Sequence, residues 1–421
     1  MTAPESLSHA RLTRRTFLQG TALAGAAAFL AACSTGGGET TAPTPTGTTP
    51  TAEPSAAPLP ETKDLHFANW AAYIDLTTAP GPDGQVGTDD DEYVLPSPTL
   101  DAFATKYGVT VDYADAKIED NATFIASIRP QLQSGAPTGW DLIAITDWMA
   151  AKVAAAGWAE KISPENTPTA AANLRDALKG LPWDPTQTYH YPWQSGATGV
   201  GYNVKSTGRD LTKVADLFDP KFAGKVTLLS EVRDTFPLVH LMLQAQGKAS
   251  ATAAEAMTAD DAQVVHDYLK PFVASGHITA FTGNEYLQFF ASGDTWASIV
   301  WSGDLASSGG PDDRFVYPDE GSMIWTDNMM IPKGAVNRLN AERMIDWVYD
   351  PDRAAAIADF VFYISPVKGV PEAIKAIDPD AATNPLLFPP DDIVRKQHSQ
   401  PTWDDATETK VNDLYADLSG K

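Results

Sequence analysis

The sequence predicts an α/β protein whose body folds into two lobes. Three observations carry this reading. Strand-like and helix-like segments alternate from residue 65 onward, a second strand-rich set opens near residue 196, and 421 residues supply two or three units of ~150 each. Leu65-His66-Phe67-Ala68 reads as a short strand. After a loop, Leu100, Phe103, Ala104 and Tyr107 recur at the spacing of one helix face, with Gly108 as the stop. Residues 109–113 alternate as a strand. Phe124, Ile125, Ile128 and Leu132 form a second helical stripe, residues 141–145 an apolar strand led by one acid, and residues 148–156 a third helix closed by Gly157. This order implies parallel pairing with right-handed crossovers and helices on the sheet faces.

The second set begins at Gly196-Ala197-Thr198-Gly199-Val200-Gly201-Tyr202-Asn203, a small-residue strand suited to crossing between lobes. Further strands are expected at 225–229, 296–301 and 323–331, and helices near 235–246, 260–274, 285–291, 341–348, 351–360 and 405–418. No internal repeat is present. In sheets of this kind ligands sit beyond the strand carboxyl ends, which places Trp70, Tyr73, Thr146 and Trp148 at such an edge.

Ahead of the body, Arg14-Arg15 precedes an uncharged apolar run from Thr21 to Ala32, the pattern of a signal peptide over residues 1–32. The run is too short to span a bilayer, which needs about 20 residues. The arginine pair resembles the twin-arginine export signal, with Gln19 a mild departure. Leu30-Ala31-Ala32-Cys33 resembles the lipobox of bacterial lipoproteins, which implies lipidation of Cys33 and a membrane anchor. Residues 34–60 hold 6 Pro, 4 Gly, 2 Ser and 8 Thr in 27 positions, with no aromatic and no basic residue. Together with Cys33 they read as a disordered tether, residues 33–60, because such a segment buries too little apolar surface to fold.

Composition excludes several functions. One cysteine rules out an intramolecular disulfide and any cysteine-based zinc site. A formal charge of 24 negative opposes nucleic-acid binding, which needs Lys and Arg to displace counterions. The seven histidines lack ligand spacing, and no nucleophile elbow, H-E-x-x-H helix or phosphate-binding loop occurs. No metal, no cofactor and no enzymatic activity are expected, although two carboxylates a few ångströms apart leave a glycoside hydrolase open as a remote alternative.

Aromatic residues recur beside acids or glycines at strand ends: Trp70 with Tyr73, Trp148 after Asp147, Trp301-Ser302-Gly303-Asp304, and Trp325-Thr326-Asp327. Ring faces attract cations, and carboxylates accept charge-assisted hydrogen bonds from ammonium groups. Together they suit a ligand with ammonium ends and a methylene stem.

From about residue 64 to 415 the body resembles the spermidine/putrescine-binding proteins of bacterial ABC importers. The matching segments are Phe67-Ala68-Asn69-Trp70-Ala71-Ala72-Tyr73, Asp141-Leu142-Ile143, Gly196-Ala197-Thr198-Gly199, Trp301-Ser302-Gly303, and Trp325-Thr326-Asp327 followed by Ile331-Pro332. The resemblance implies a type II periplasmic-binding-protein fold, in which each lobe is a mixed, mostly parallel sheet flanked by helices and the ligand cleft lies between. It implies lobe 1 from 61–196 plus 326–370 and lobe 2 from 197–325 plus 371–421, with hinges near Gly196 and Trp325.

For the ligand site it implies aromatic walls at Trp70, Tyr73, Trp148, Trp301, Trp325 and Tyr363, ammonium-binding acids at Glu231, Asp234 and Asp327, and a hydroxyl at Thr146. A late polar contact falls near Trp403-Asp404, and Arg233 is expected to orient the two acids flanking it. The implied function is capture of a polyamine by hinge closure and delivery to an ABC permease and its ATPase, by an extracytoplasmic, lipid-anchored monomer. Another organic amine as ligand, or an amine sensor, remains an alternative. Two departures are Ala71 and Ala72, which offer no side-chain donor after the first Trp, and an acidic insertion at 76–98, read as a solvated loop.

Overall fold

A computed structural model describes residues 58–79, 92–94 and 97–420. The signal segment, Cys33, most of the tether and the tip of the acidic insertion lie outside the described residues. The flanks of that insertion, β2 (Thr77–Ala79) and β3 (Glu92–Val94), pair antiparallel as a separate ribbon.

The remaining strands join in one ten-stranded mixed sheet. They are β1 (Asp64–Ala68), β4 (Thr110–Ala114), β5 (Leu142–Thr146), β6 (His190–Asn203), β7 (Val226–Leu229), β8 (Ile278–Thr282), β9 (Ala297–Trp301), β10 (Asp313–Val316), β11 (Ser322–Met330) and β12 (Gln397–Ser399). Their order is β4-β1-β5-β11-β6-β9-β7-β8, with β10 on β6 and β12 on β11. Parallel pairs occupy the two ends, β1 with β4 and β5, and β7 with β8 and β9. Between them run the long antiparallel strands β6 and β11, in register from Met323 opposite Thr198 to Met330 opposite His190, with one irregularity between Asp327 and Asn328. These two strands make the sheet continuous from one lobe to the other. A β-strand rises only ~3.3 Å per residue, so the 14 residues of β6 are long enough to serve both.

The helices form where period and punctuation place them. The helix Pro98–Tyr107 is capped by the Ser97 side chain and stopped by Gly108 at φ 63°, a left-handed conformation that glycine adopts without steric cost. Asn121–Ser134 begins on an Asp120 cap, and Asp147–Ala155 follows β5 directly. Missing from the expectations were β8, β10, β12 and the short helices Ser302–Ser308 and Val370–Ile377. Each is brief, eight residues or fewer.

Two apolar cores flank the crossing strands. One contains Leu65, Phe103, Trp193, Met329 and Ile345; the other contains Val200, Leu228, Phe236, Ile299 and Val411. A third cluster, with Phe124, Ile128, Ile143, Ile145 and Trp148, covers the opposite face of the first lobe's sheet. Ile374, Ala381 and Leu387, placed in the second lobe by the sequence division, are buried in the first core. They follow their neighbour Pro351–Val361, against which Val370–Ile377 packs.

Candidate ligand-binding site

Carboxyl ends of β1, β4 and β5 from one lobe and of β7, β8 and β9 from the other converge on a cleft of about 330 Å³. Trp325 and Asp327, in the middle of β11, form its floor, with β6 paired alongside. All ten residues expected at the site line it: Trp70, Tyr73, Thr146, Trp148, Glu231, Asp234, Trp301, Trp325, Asp327 and Tyr363. Seven of the lining residues are Asp or Glu and none is Lys, Arg or His, so the cleft selects for positive charge.

Three of these acids are buried and held by hydrogen bonds. Asp327, in β11, accepts from the Tyr73 hydroxyl at 2.9 Å and from Thr146 Oγ1 at 2.7 Å. Thr146 is oriented in turn by Asn121, whose Nδ2 donates to Thr146 Oγ1 at 2.9 Å and whose Oδ1 accepts from the Thr146 amide. Asp234, in the first turn of Val232–Ala245, accepts from Thr198 Oγ1 and Gln400 Nε2, both at 2.8 Å, and from Trp301 Nε1 at 2.9 Å. Asp304 accepts from the hydroxyls of Tyr286 at 2.7 Å and Tyr363 at 2.8 Å, and from Asn284 Nδ2. The donors that fix these carboxyl groups are neutral, so they contribute no opposing charge.

Burial dominates the electrostatics of Asp327, Asp234 and Glu231. Desolvation pushes the Asp327 carboxyl up to about 7 against its hydrogen bonds, and pushes Glu231 to about 7 as well. The Asp234 carboxyl is raised by the same cause. Glu231 caps its helix, accepting from the Arg233 amide at 3.0 Å. A cation entering the cleft therefore meets Asp327 and Glu231 partly protonated near neutral pH, and those two protons must leave for the pairs to form.

Glycines shape the floor. Gly196 lies opposite Trp325 in the ladder, and a Cβ there would sit 2.3 Å from the Trp325 ring and 2.8 Å from Tyr363. At Gly303 a Cβ would lie 2.5 Å from Tyr363. The two rings pack edge to face, centroids 5.1 Å apart, and occupy the volume that side chains would otherwise take. Tyr363 is aimed by the residue before it: Phe362, at φ 58°, ends Pro351–Val361 in the left-handed region.

Two expectations are corrected. The late polar residue at the cleft is Gln400; Trp403 is buried and donates to the Met257 carbonyl, and Asp404 caps the terminal helix. The Arg233 side chain does not orient its flanking acids, because it turns away to stack on Trp148 and pair with Glu408. Sequence reasoning also missed Glu119, Asp120, Glu285 and Asp304 at the cleft. Asp304 carried a signal, since it follows Trp301 in the segment singled out for its acid and ring.

A family model, described as bacterial extracellular solute-binding protein, matches residues 99–389, more than half of the chain. The chain belongs to that family. Among relatives of this solute-binding protein, the spermidine/putrescine-binding periplasmic protein 1 of Haemophilus influenzae is 27% identical over 320 residues, 75% of this chain and 84% of the relative. The spermidine/putrescine-binding periplasmic protein of Escherichia coli is 24% identical over 344 residues, 81% of this chain and 87% of that one. In fold, the solute-binding protein matches a putative spermidine/putrescine ABC transporter from Listeria monocytogenes with a TM-score of 0.70 at 20% identity, covering 85% of this chain and 99% of the other. The Tp0655 lipoprotein of Treponema pallidum matches with a TM-score of 0.67 at 17% identity, over 85% and 100%. These likenesses establish the two-lobed periplasmic-binding-protein architecture.

Proposed function

We propose that the chain is the extracytoplasmic substrate-binding component of an ABC importer, capturing a polyamine of the putrescine or spermidine class by lobe closure and passing it to a membrane permease coupled to an ATPase. The supporting observation is the cleft itself: seven acids and no base, walled by tryptophan and tyrosine rings, between lobes hinged on β6 and β11. Ammonium groups would pair with Asp327, Asp234, Glu231 and Asp304, while methylenes lie against Trp70, Trp301, Trp325 and Tyr363. Contacts from both lobes are available together only when the cleft is shut, so the ligand favours closure. The relatives from Haemophilus influenzae and Escherichia coli, both spermidine/putrescine-binding proteins, point the same way. Lipidation at Cys33, a membrane tether over 33–60 and a monomeric state complete the proposal, and no turnover is part of it.

Calorimetry with putrescine, cadaverine, spermidine and spermine tests this reading. One-to-one saturable binding to at least one of them is the expected result. Silence across all four, with the protein shown to be folded, removes the polyamine.

Two further results are expected of the same site. Trp301→Ala should lose about 2 kcal/mol of affinity or more, since it removes a ring face and also one of the three donors that hold Asp234. Trp140→Ala, outside the cleft, should lose little; equal losses would assign Trp301 to the core alone.

Binding should also release protons at pH 7. Asp327 and Glu231 are partly protonated there, and a bound ammonium favours their charged forms, so affinity rises with pH through the region around 7. Titrations in buffers of different ionisation enthalpy report this directly; identical heats would show that neither carboxyl faces the ligand.

A further inference from the structure

Over one edge of the cleft the first lobe's helix Asp147–Ala155 meets the second lobe's helix Asp405–Ser419. Lys152 pairs there with Glu408 Oε2 across the lobes, and Glu408 Oε1 pairs with Arg233. Arg233 is 3% exposed, although it carries a full charge. Its guanidinium lies 3.5 Å over the ring of Trp148, which belongs to the first lobe, and 4.7 Å from the ring of Trp403, which belongs to the second. The Arg233 Nε donates to the Pro401 carbonyl at 3.3 Å. Two indole rings and a carboxylate around a cation are the chemistry that the ligand cleft offers an ammonium group. Here the chain's own guanidinium fills the cage.

The geometry points to a ligand-independent clasp, in which Arg233, Glu408 and Lys152 hold the lobes together and so set the fraction of ligand-free molecules whose cleft is assembled. Arg233, Glu408 and Trp403 travel with the second lobe; Trp148 and Lys152 travel with the first. Opening therefore leaves the Arg233–Glu408 pair intact but strips one ring face from the guanidinium and one ammonium from the carboxylate. Both losses fall on the open state alone. Glu408 and Lys152 lie outside the cleft lining, so they act on the lobe equilibrium rather than on ligand contacts. Apparent affinity is the intrinsic affinity reduced by the fraction competent to bind. A clasp that raises that fraction tightens binding without touching the ligand.

Lys152→Met and Glu408→Gln test this by solution X-ray scattering without ligand and by calorimetry with spermidine. Met keeps a long apolar stem near Trp148 while removing the cross-lobe charge, and Lys152 is exposed enough for the variant to fold. Both variants are expected to show a larger ligand-free radius of gyration than the parent, with ligand-saturated profiles unchanged. If the closed fraction falls to a tenth, the apparent Kd rises about tenfold. Superimposable ligand-free profiles for the parent and Lys152→Met overturn the clasp, even if Glu408→Gln fails to fold. The affinity arm rests on the polyamine reading; the scattering arm does not. No binding of putrescine, cadaverine, spermidine or spermine, with altered ligand-free profiles, would sink the ligand assignment and leave the clasp standing.

Discussion

Asp327→Asn is expected to raise the Kd for a polyamine by about two to four orders of magnitude while leaving the ligand-free protein folded. The carboxylate is 5% exposed, so an ammonium group docked against it has little water to fall back on once the charge is gone. Removing one partner of such a desolvated pair costs about 3–5 kcal/mol, and each factor of ten in Kd is about 1.4 kcal/mol. Folding should not suffer in parallel. The amide is nearly isosteric, and the hydroxyls of Tyr73 and Thr146 can rotate to meet its oxygen or its nitrogen.

The same substitution carries an opposite expectation for stability. Burial raises the folded pKa of Asp327 to about 7, above the 3.8 of an ordinary aspartate. The stability contributed by its proton is fully present below about 4 and is lost as pH rises through 7. Without ligand, Asp327→Asn should therefore melt higher than the parent at pH 8, and the gap should narrow toward pH 5. Weaker binding together with a higher ligand-free melting temperature is the signature of a charge held for a ligand. Unchanged affinity would take Asp327 out of the site.

Gly196→Ala is expected to impair both binding and stability. Its Cβ would fall 2.3 Å from Cζ2 and 2.7 Å from Cη2 of Trp325, and 2.8 Å from Cδ1 of Tyr363. Both rings are buried, so neither yields at low cost. Overpacking of this kind costs about 1–3 kcal/mol. Relief lies toward the cleft, the nearest open volume, and rings pushed into it would occupy ligand space. Affinity should fall by at least about tenfold, since a displaced wall is lost as a contact and gained as an obstruction. Tyr363 would also be drawn off Asp304, which it now holds at 2.8 Å. Melting and calorimetry on the one variant read both effects. Normal binding would mean that β6 and β11 separate to accommodate the methyl, and that the floor is softer than its ladder implies.

Much of this molecule was legible along the chain because much of it is local. Leu100, Phe103, Ala104 and Tyr107 repeat at helical spacing and Gly108 stops them, and the helix Pro98–Tyr107 is the result. Residues 142–145, behind the leading Asp141, are apolar without interruption because β5 is buried on both faces. Pairing of rings with acids at strand ends marked Trp70, Trp301, Trp325 and Asp327, because strand ends face one cleft in sheets of this kind. What escaped depends on where distant segments meet. Asp304 is a cleft acid because Tyr286, 18 residues before it, and Tyr363, 59 after it, close on its two oxygens. Gln400 reaches Asp234 across 166 residues, and Glu408 reaches Lys152 across 256. Arg233 illustrates the limit most sharply. Between two acids in the chain it looks like their organiser, yet its long side chain has five donors and four rotatable bonds with which to choose among partners. Packing of the terminal helix against the second core sets that choice, and no local pattern records it. Periodicity and composition determined the longer elements and the pairing of rings with acids; the register of β6 on β11 and the docking of the last helix decided which acids converge and which cation stays within the chain.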